Sequence, residues 1–253
     1  MARLVLVHGS VTNGALTWGA QRPLAERWEL VVLDRPGFAP GPPVERVDFE
    51  HDADWLLRLL EPGDHLCGHS YGGVVSLLAA ARSPELGSLT VIEPPATLAA
   101  RGVAAADDFG AGAERMWRDG PGEPEAFLRA FLQAVGSDWD PPTPLPPPLA
   151  QGAAALRRER GPWEAEIPTA AIRALPFPKL VVSGAHHAAF DAICDALARD
   201  LGAERAVFPG AGHTVQRAPG FNEALEAFLR RSDAARPPAR GGGRGGTGAG
   251  SST

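Results

Sequence analysis

Six short apolar runs, each closed by a turn, recur along the chain: RLVLVHG, ELVVLDRPG, DHLCGHS, LTVIEPP, KLVVSGA and ERAVFPGAG. Their apolar residues are contiguous rather than alternating, the pattern of strands covered on both faces of a parallel sheet. Between them lie helix-like stretches: QRPLAERW, HDADWLLRLL, YGGVVSLLAAARS, FDAICDALARDL and FNEALEAFLRR. Strand alternating with helix predicts a doubly wound α/β fold with a mostly parallel six-stranded sheet. A length of 253 residues with 44% hydrophobic content is enough for one large domain.

The runs begin at Leu4, Leu30, Leu66, Leu89, Leu180 and Arg205. Every gap fits a single crossover helix with its loops except the one between Leu89 and Leu180. The surplus places an insertion at about 97–175, after the fourth strand, on the side where the C-terminal ends of the strands open. It contains helix-like RMWRDG and EAFLRAFLQAV and a proline-rich run, DPPTPLPPPLA. Its apolar content is thin for a core of its own, so a helical lid over a pocket is expected, with residues 1–231 forming one domain. Residues 232–253 run into Gly, Arg and Ser, cannot bury enough apolar surface to order themselves, and are expected to be a disordered tail.

The opening MARLVLVHGS has four consecutive apolar residues before His8, which reads as a first strand rather than the apolar region of a signal peptide. No apolar run approaches membrane length. Cys67 and Cys194 show no metal-ligand spacing and suit a reduced compartment, so a cytoplasmic protein without a membrane partner is expected. A net charge of −6 without a basic stripe argues against nucleic acid as a partner. The sequence does not set the oligomeric state.

The strongest chemical signal is Gly68-His69-Ser70-Tyr71-Gly72, followed by Gly73, between an apolar strand and an apolar helix. A serine in so sharp a turn is forced into strained backbone, and glycines two before and two after it let the chain fold back. The turn lifts the Ser70 hydroxyl above the sheet as a nucleophile and puts the Tyr71 N–H at a helix N-terminus. His8-Gly9-Ser10 ends the first strand, so the Ser10 N–H is the expected second donor of an oxyanion hole. His8 is then a loop brace, and His51 and His65 read as surface residues. His213, in PGAGH after the last strand, is the expected general base, because it follows the serine in chain order and its glycines allow close approach.

Together these residues resemble the α/β-hydrolase superfamily, in particular its lidded esterase, lactonase and hydroxynitrile-lyase-like group. The resemblance covers about residues 2–231 and rests on HGS, WELVVLDRPGFAPG, GHSYGG, VIEPPA, SGAHH and GAGHTVQRAP in that order. It implies a cofactor-free serine hydrolase acting on a small to medium hydrophobic ester, thioester or lactone. Alternatives are lyase or cyclase chemistry in the same pocket, or a non-catalytic binder of a small ligand. Trp117, Phe127, Phe131 and Trp139 of the insertion would give an apolar pocket.

One departure stands out. The family usually places its acid two or three residues after the glycine that ends the strand before the last, and here His186 and His187 follow Gly184. Some branches take the acid from the end of the preceding strand, which points to Glu93. Asp191 is the alternative acid, although at a helix start it also reads as a cap or dipole partner. A third possibility is that no acid serves His213. The adjacent histidines lack partners at ligand spacing, so no metal is expected, and one of them is left to orient His213 or to bond a substrate.

Overall fold

The computed structural model describes residues 1–235. All six expected strands are present: β1 (Arg3–Val7), β2 (Glu29–Leu33), β3 (His65–His69), β4 (Ser88–Ile92), β5 (Lys179–Ser183) and β6 (Glu204–Val207). They form one sheet in the order β2-β1-β3-β4-β5-β6, and every neighbouring pair is parallel. The central strands β3, β4 and β5 are buried at every residue, as contiguous apolar runs require. The edge strands are not, with Val32 39% and Val207 47% exposed.

The helices, in chain order, are α1 (Gly14–Thr17), α2 (Phe49–Leu57), α3 (Tyr71–Ala80), α4 (Ala104–Asp119), α5 (Pro124–Ala134), α6 (Pro147–Leu156), α7 (Thr169–Ala174), α8 (Ala188–Leu201) and α9 (Phe221–Ala235). The two-residue period of a strand splits the core into two layers. Val5, Val7, Leu66, Val91 and Val181 pack against α2, α3 and α8 on one face. Leu4, Leu6, Cys67, Ile92 and Val182 meet α9 and the tryptophans Trp18 and Trp28 on the other.

Local structure departs from or adds to the expectations at three places. QRPLAERW forms a 3-10 helix, Gly19–Glu26, with Pro23 inside it where an α-helix would lose a hydrogen bond. Part of the proline-rich run forms α6, because Pro147 sits in its first turn, where a missing N–H costs nothing. His65 is fully buried rather than on the surface, bonded to Ser88 at 2.8 Å and Asp233 at 3.1 Å. Helix α9 also continues to Ala235, past the expected domain end at 231, and residues 236–253 of the expected tail lie outside the described residues.

Helices α4 to α7 occupy the insertion between β4 and β5. Its small apolar cluster, built on Phe127, Leu128, Leu132, Leu149 and Leu156, borrows Val11 from the loop after β1. Ala106, Ala155 and Ile172 join the main core. A buried ionic cluster fixes the attachment: the fully buried Arg35, just after β2, pairs with Asp52 of α2 at 3.1 Å and with Glu159, just after α6, at 3.0 Å. The guanidinium lies over the Tyr71 ring at 4.4 Å and the Phe38 ring at 4.8 Å. Backbone bonds from Val47 N–H to Arg158 O and from Arg160 N–H to Val47 O flank the pair.

One cation between two acids cannot neutralise both. Burial outweighs the pull of Arg35 and pushes Asp52 up to about 6 and Glu159 up to about 7. Raised carboxyl values mean that the stability they contribute is complete below the ordinary carboxylate range and is lost as pH rises through about 6 to 7. Removing Arg35 would strand the acids, so Arg35→Met is expected to lower stability by about 3–5 kcal/mol in urea titrations at neutral pH. Glu159→Gln should flatten the decline in stability between about pH 5 and pH 8; an unchanged slope would show that Glu159 does not titrate there.

Candidate active site

Ser70 stands between β3 and α3 with φ +52° and ψ −125°, a conformation that costs a non-glycine residue about 1–3 kcal/mol. The sheet holds it there: Ser70 N–H donates to Ile92 O at 2.8 Å, and Ser70 O accepts from Gly73 N–H at 2.8 Å. The flanking glycines are sterically required, since a Cβ on Gly68 would come within 2.4 Å of Gly72 O. Tyr71 is the first residue of α3, where backbone amides have no intrahelical acceptor. The loop after β1 lies against this turn, and a Cβ on Gly9 would sit 2.9 Å from the Ser70 Cβ. Ser10 is therefore beside Ser70, and its hydroxyl donates to Glu159 Oε2 at 2.6 Å. His8 braces the same loop: Nδ1–H donates to Gly9 O at 2.7 Å and Nε2 accepts Arg35 N–H at 2.9 Å. Burial lowers its pKa well below the histidine value, which fits a neutral ring with one proton.

His213 lies in the loop after β6, and its Nδ1–H donates to Glu93 Oε2 at 2.7 Å. This leaves Nε2 buried and without a hydrogen-bond partner among the described residues. The ring packs on Phe190 at 4.7 Å and His69 at 4.9 Å between centroids. His69 has no role legible in the sequence beyond its place in the serine turn. Its Nε2–H in fact donates to His213 O at 2.9 Å, bracing the histidine loop, and burial together with His213 lowers its pKa to about 3.

Glu93, just beyond β4, is fully buried with φ +45°. Its N–H donates to Val182 O at 3.0 Å, and Oε1 accepts Gly184 N–H at 2.7 Å. Burial alone would raise its pKa. The contacts of His186, His213 and the Gly184 amide outweigh that and bring it down to about 2, so the carboxylate is ionised. Asp191, the alternative acid, points its bonds elsewhere, accepting from Ser183 Oγ at 2.7 Å and lying 3.7 Å from Arg205. The cap of α8 is His187, whose Nδ1 accepts Ala189 N–H at 3.2 Å.

His186 is the second residue missed as a specific partner: Nδ1 lies 3.3 Å from Glu93 Oε1, and Nε2–H donates to Val135 O at 3.0 Å. Ligand atoms of Glu93, His186 and His213 fall within 4.8 Å of one another. Glu93 Oε1 accepts from the Gly184 amide and Oε2 from His213, and the His186 Nε2 proton is given to a carbonyl, so one acid lies between two imidazoles.

Two cavities meet at Ser70 and Ser10. A cleft of about 650 Å³ is also bordered by His69, His213, Phe131 and Trp139. A small chamber of about 30 Å³ is walled by Tyr71, Trp117, Phe131, Trp163 and Phe190, with Glu159 at its edge. Of the aromatic residues expected to line a pocket, Phe127 does not: it is fully buried and packs edge-on against Trp117 at 4.9 Å.

Six parallel strands with a serine in the strained turn after β3 define a recognisable class. Residues 4–228 match the model of the "Alpha/beta hydrolase family", so the chain belongs to that family. A 102-residue segment is 38% identical to the pimeloyl-[acyl-carrier protein] methyl ester esterase of Aeromonas hydrophila subsp. hydrophila, covering 38% of this chain and 39% of that one. The match thus spans well under half of that relative. Among solved structures, MenH from S. aureus superposes with a TM-score of 0.69 at 17% identity, over 92% of this chain and 94% of that one. A thermophilic esterase from Thermogutta terrifontis does so with a TM-score of 0.61 at 25% identity, over 92% and 90%. Among the described residues no helix is long and apolar enough to cross a membrane.

A carboxylate whose pKa is held low in the fold contributes stability that is complete above the ordinary value of 4.5 and is lost as pH falls toward 2. Urea midpoints between about pH 5.5 and pH 3.5 should therefore fall more steeply for the wild type than for Glu93→Gln, which has no proton to take up there. Parallel slopes would mean that Glu93 is not ionised in the fold.

Proposed function

We propose that this protein is a cofactor-free serine hydrolase of small hydrophobic carboxylic esters or thioesters, with Glu93 as the relocated acid of a Ser70-His213-Glu93 triad. The observation that carries the reading is the 2.7 Å bond from His213 Nδ1–H to the ionised Glu93. It fixes the tautomer with a free Nε2, on a residue bordering the same cleft as Ser70. The Nε2 lone pair takes the Ser70 proton as Oγ attacks the carbonyl carbon. Glu93 stabilises the imidazolium that forms, and the N–H groups of Ser10 and Tyr71 receive the oxyanion. Collapse of the tetrahedral species returns that proton to the leaving oxygen or sulfur. Water, deprotonated by the same Nε2, then attacks the acyl carbon, and the proton passes from Nε2 to Ser70 Oγ as the acid leaves.

The cavities suggest which part of the substrate goes where. The aromatic chamber has room for roughly two or three water-sized groups, enough for a short acyl stub. The larger cleft suits the leaving group. The insertion α4–α7 then acts as a lid, supplying Trp117, Phe131 and Trp163 to the chamber wall. The esterase named among the relatives is consistent with this chemistry. A soluble setting without a nucleic-acid partner fits the reading, as the acidic balance of the chain suggests.

A fluorophosphonate should label Ser70 covalently, and Ser70→Ala and His213→Ala should each abolish labelling. Folded wild-type protein that stays unlabelled would favour a binding protein. Short-chain p-nitrophenyl esters should turn over. Glu93→Gln should reduce that turnover by about three to four orders of magnitude, because an amide can hold the wrong tautomer and cannot stabilise the imidazolium. Asp191→Asn should change it little; the reverse outcome would transfer the acid role to Asp191.

A further inference from the structure

The proposed chemistry uses one of the two imidazoles on Glu93. The other, His186, follows Gly184 by two residues, in the turn where an acid would ordinarily stand. Its Nε2–H donates to Val135 O, at the C-terminal end of α5, at 3.0 Å. A carbonyl only accepts, so the proton on Nε2 is fixed. Nδ1 is buried without a hydrogen bond among the described residues and lies 3.3 Å from Glu93 Oε1, so a neutral ring would turn its lone pair toward the carboxylate. The contact is attractive only if Nδ1 is protonated too, making His186 an imidazolium. The ring is held in place by stacking on Phe190, 5.8 Å between centroids and 20° between planes. Phe190 in turn packs on His213.

We infer that His186 is a positioning residue for the triad: its imidazolium and the Gly184 amide hold Glu93 Oε1, so that Oε2 stays aimed at His213 Nδ1. The inference rests on the hydrolase reading above and adds a residue to it. The charged and titratable groups facing His186 are Glu93 from the end of β4, His213 from the loop after β6 with its centroid 6.0 Å away, and His187 and Asp191 at the start of α8. From α5 it meets a carbonyl. The Glu93 contact outweighs burial, and the pKa of His186 lies above the ordinary histidine value. The contact is therefore complete below that ordinary value and is lost as pH rises through the folded-state one.

Three variants separate this role from simple bracing. His186→Asn places an amide N–H near the position of Nδ1 and keeps a donor for Glu93. His186→Gln reaches instead toward Val135 O, and His186→Phe keeps only the stack on Phe190. The readout is the rate of Ser70 labelling by a fluorophosphonate between about pH 5 and pH 9, with imidazole titrations by NMR on histidine-labelled protein. His186→Asn should label about 10- to 100-fold faster than His186→Gln or His186→Phe, the range set by a hydrogen bond to a charged group. It should also lack the alkaline fall in rate expected for wild type, because an amide does not titrate. By NMR, His186 should titrate above the ordinary histidine range in wild type and return toward it in Glu93→Gln. The inference is overturned if His186→Asn is as slow as His186→Phe, if all three variants label at the wild-type rate, or if Glu93→Gln leaves the His186 titration in place. Wild-type protein that does not label at all overturns the hydrolase reading instead, and the NMR titration then decides whether His186 holds Glu93.

Discussion

The arrangement of the site depends on one buried charge. Glu93 sits fully out of water beyond the end of a central strand, where an isolated carboxylate would take up a proton rather than stay ionised. It stays ionised because the Gly184 amide after β5 and His213 after β6 donate to it, and His186 of the same turn as Gly184 lies 3.3 Å away. Each bond that stabilises the charge also fixes the place of a loop. The positive φ of Glu93 and of Ala185 falls within this cradle, where surrounding contacts can hold backbone that would relax elsewhere.

A second set of buried acids shows what happens when donors are fewer. Glu159 and Asp52 share the single guanidinium of Arg35, and burial raises both, to about 7 and about 6. Glu93, with an amide and two imidazoles, is driven the other way, to about 2. The same side-chain chemistry is thus held ionised at one wall of the site and poised near neutrality at the other. Arg35 also lies over the ring of Tyr71, whose amide opens α3, and Glu159 accepts from Ser10. The insertion and the two proposed oxyanion donors are therefore linked through one cluster.

The histidines illustrate how environment separates identical residues. His8 and His69 are neutral braces, lowered chiefly by burial, each giving one ring proton to a backbone carbonyl. His213 gives its Nδ1 proton to Glu93 and has no hydrogen-bond partner at Nε2 among the described residues. His186 is raised, chiefly because its second ring nitrogen faces the Glu93 carboxylate. His65 is part of the sheet's underside, bonded between Ser88 and Asp233.

The sequence by itself determined what depends on neighbours along the chain. Contiguous apolar runs marked all six strands, the long gap after LTVIEPP located the insertion, and glycines around Ser70 and His213 marked the two turns that approach each other. These signals are local, because a strand's burial or a turn's need for glycine is written within a few residues. Only the tertiary structure decided which carboxylate meets His213. Glu93 at a strand end and Asp191 at a helix start were both legible as candidate acids, but the choice rests on parallel pairing that sets Ile92 of β4 beside Val182 of β5, bringing the residue after one strand to the turn after the other. The roles of His186 and His69, the burial of His65 and the cluster around Arg35 were hidden for the same reason. Each rests on contacts between residues far apart in the chain, and the side chains that make them carry no periodic signal of their partners.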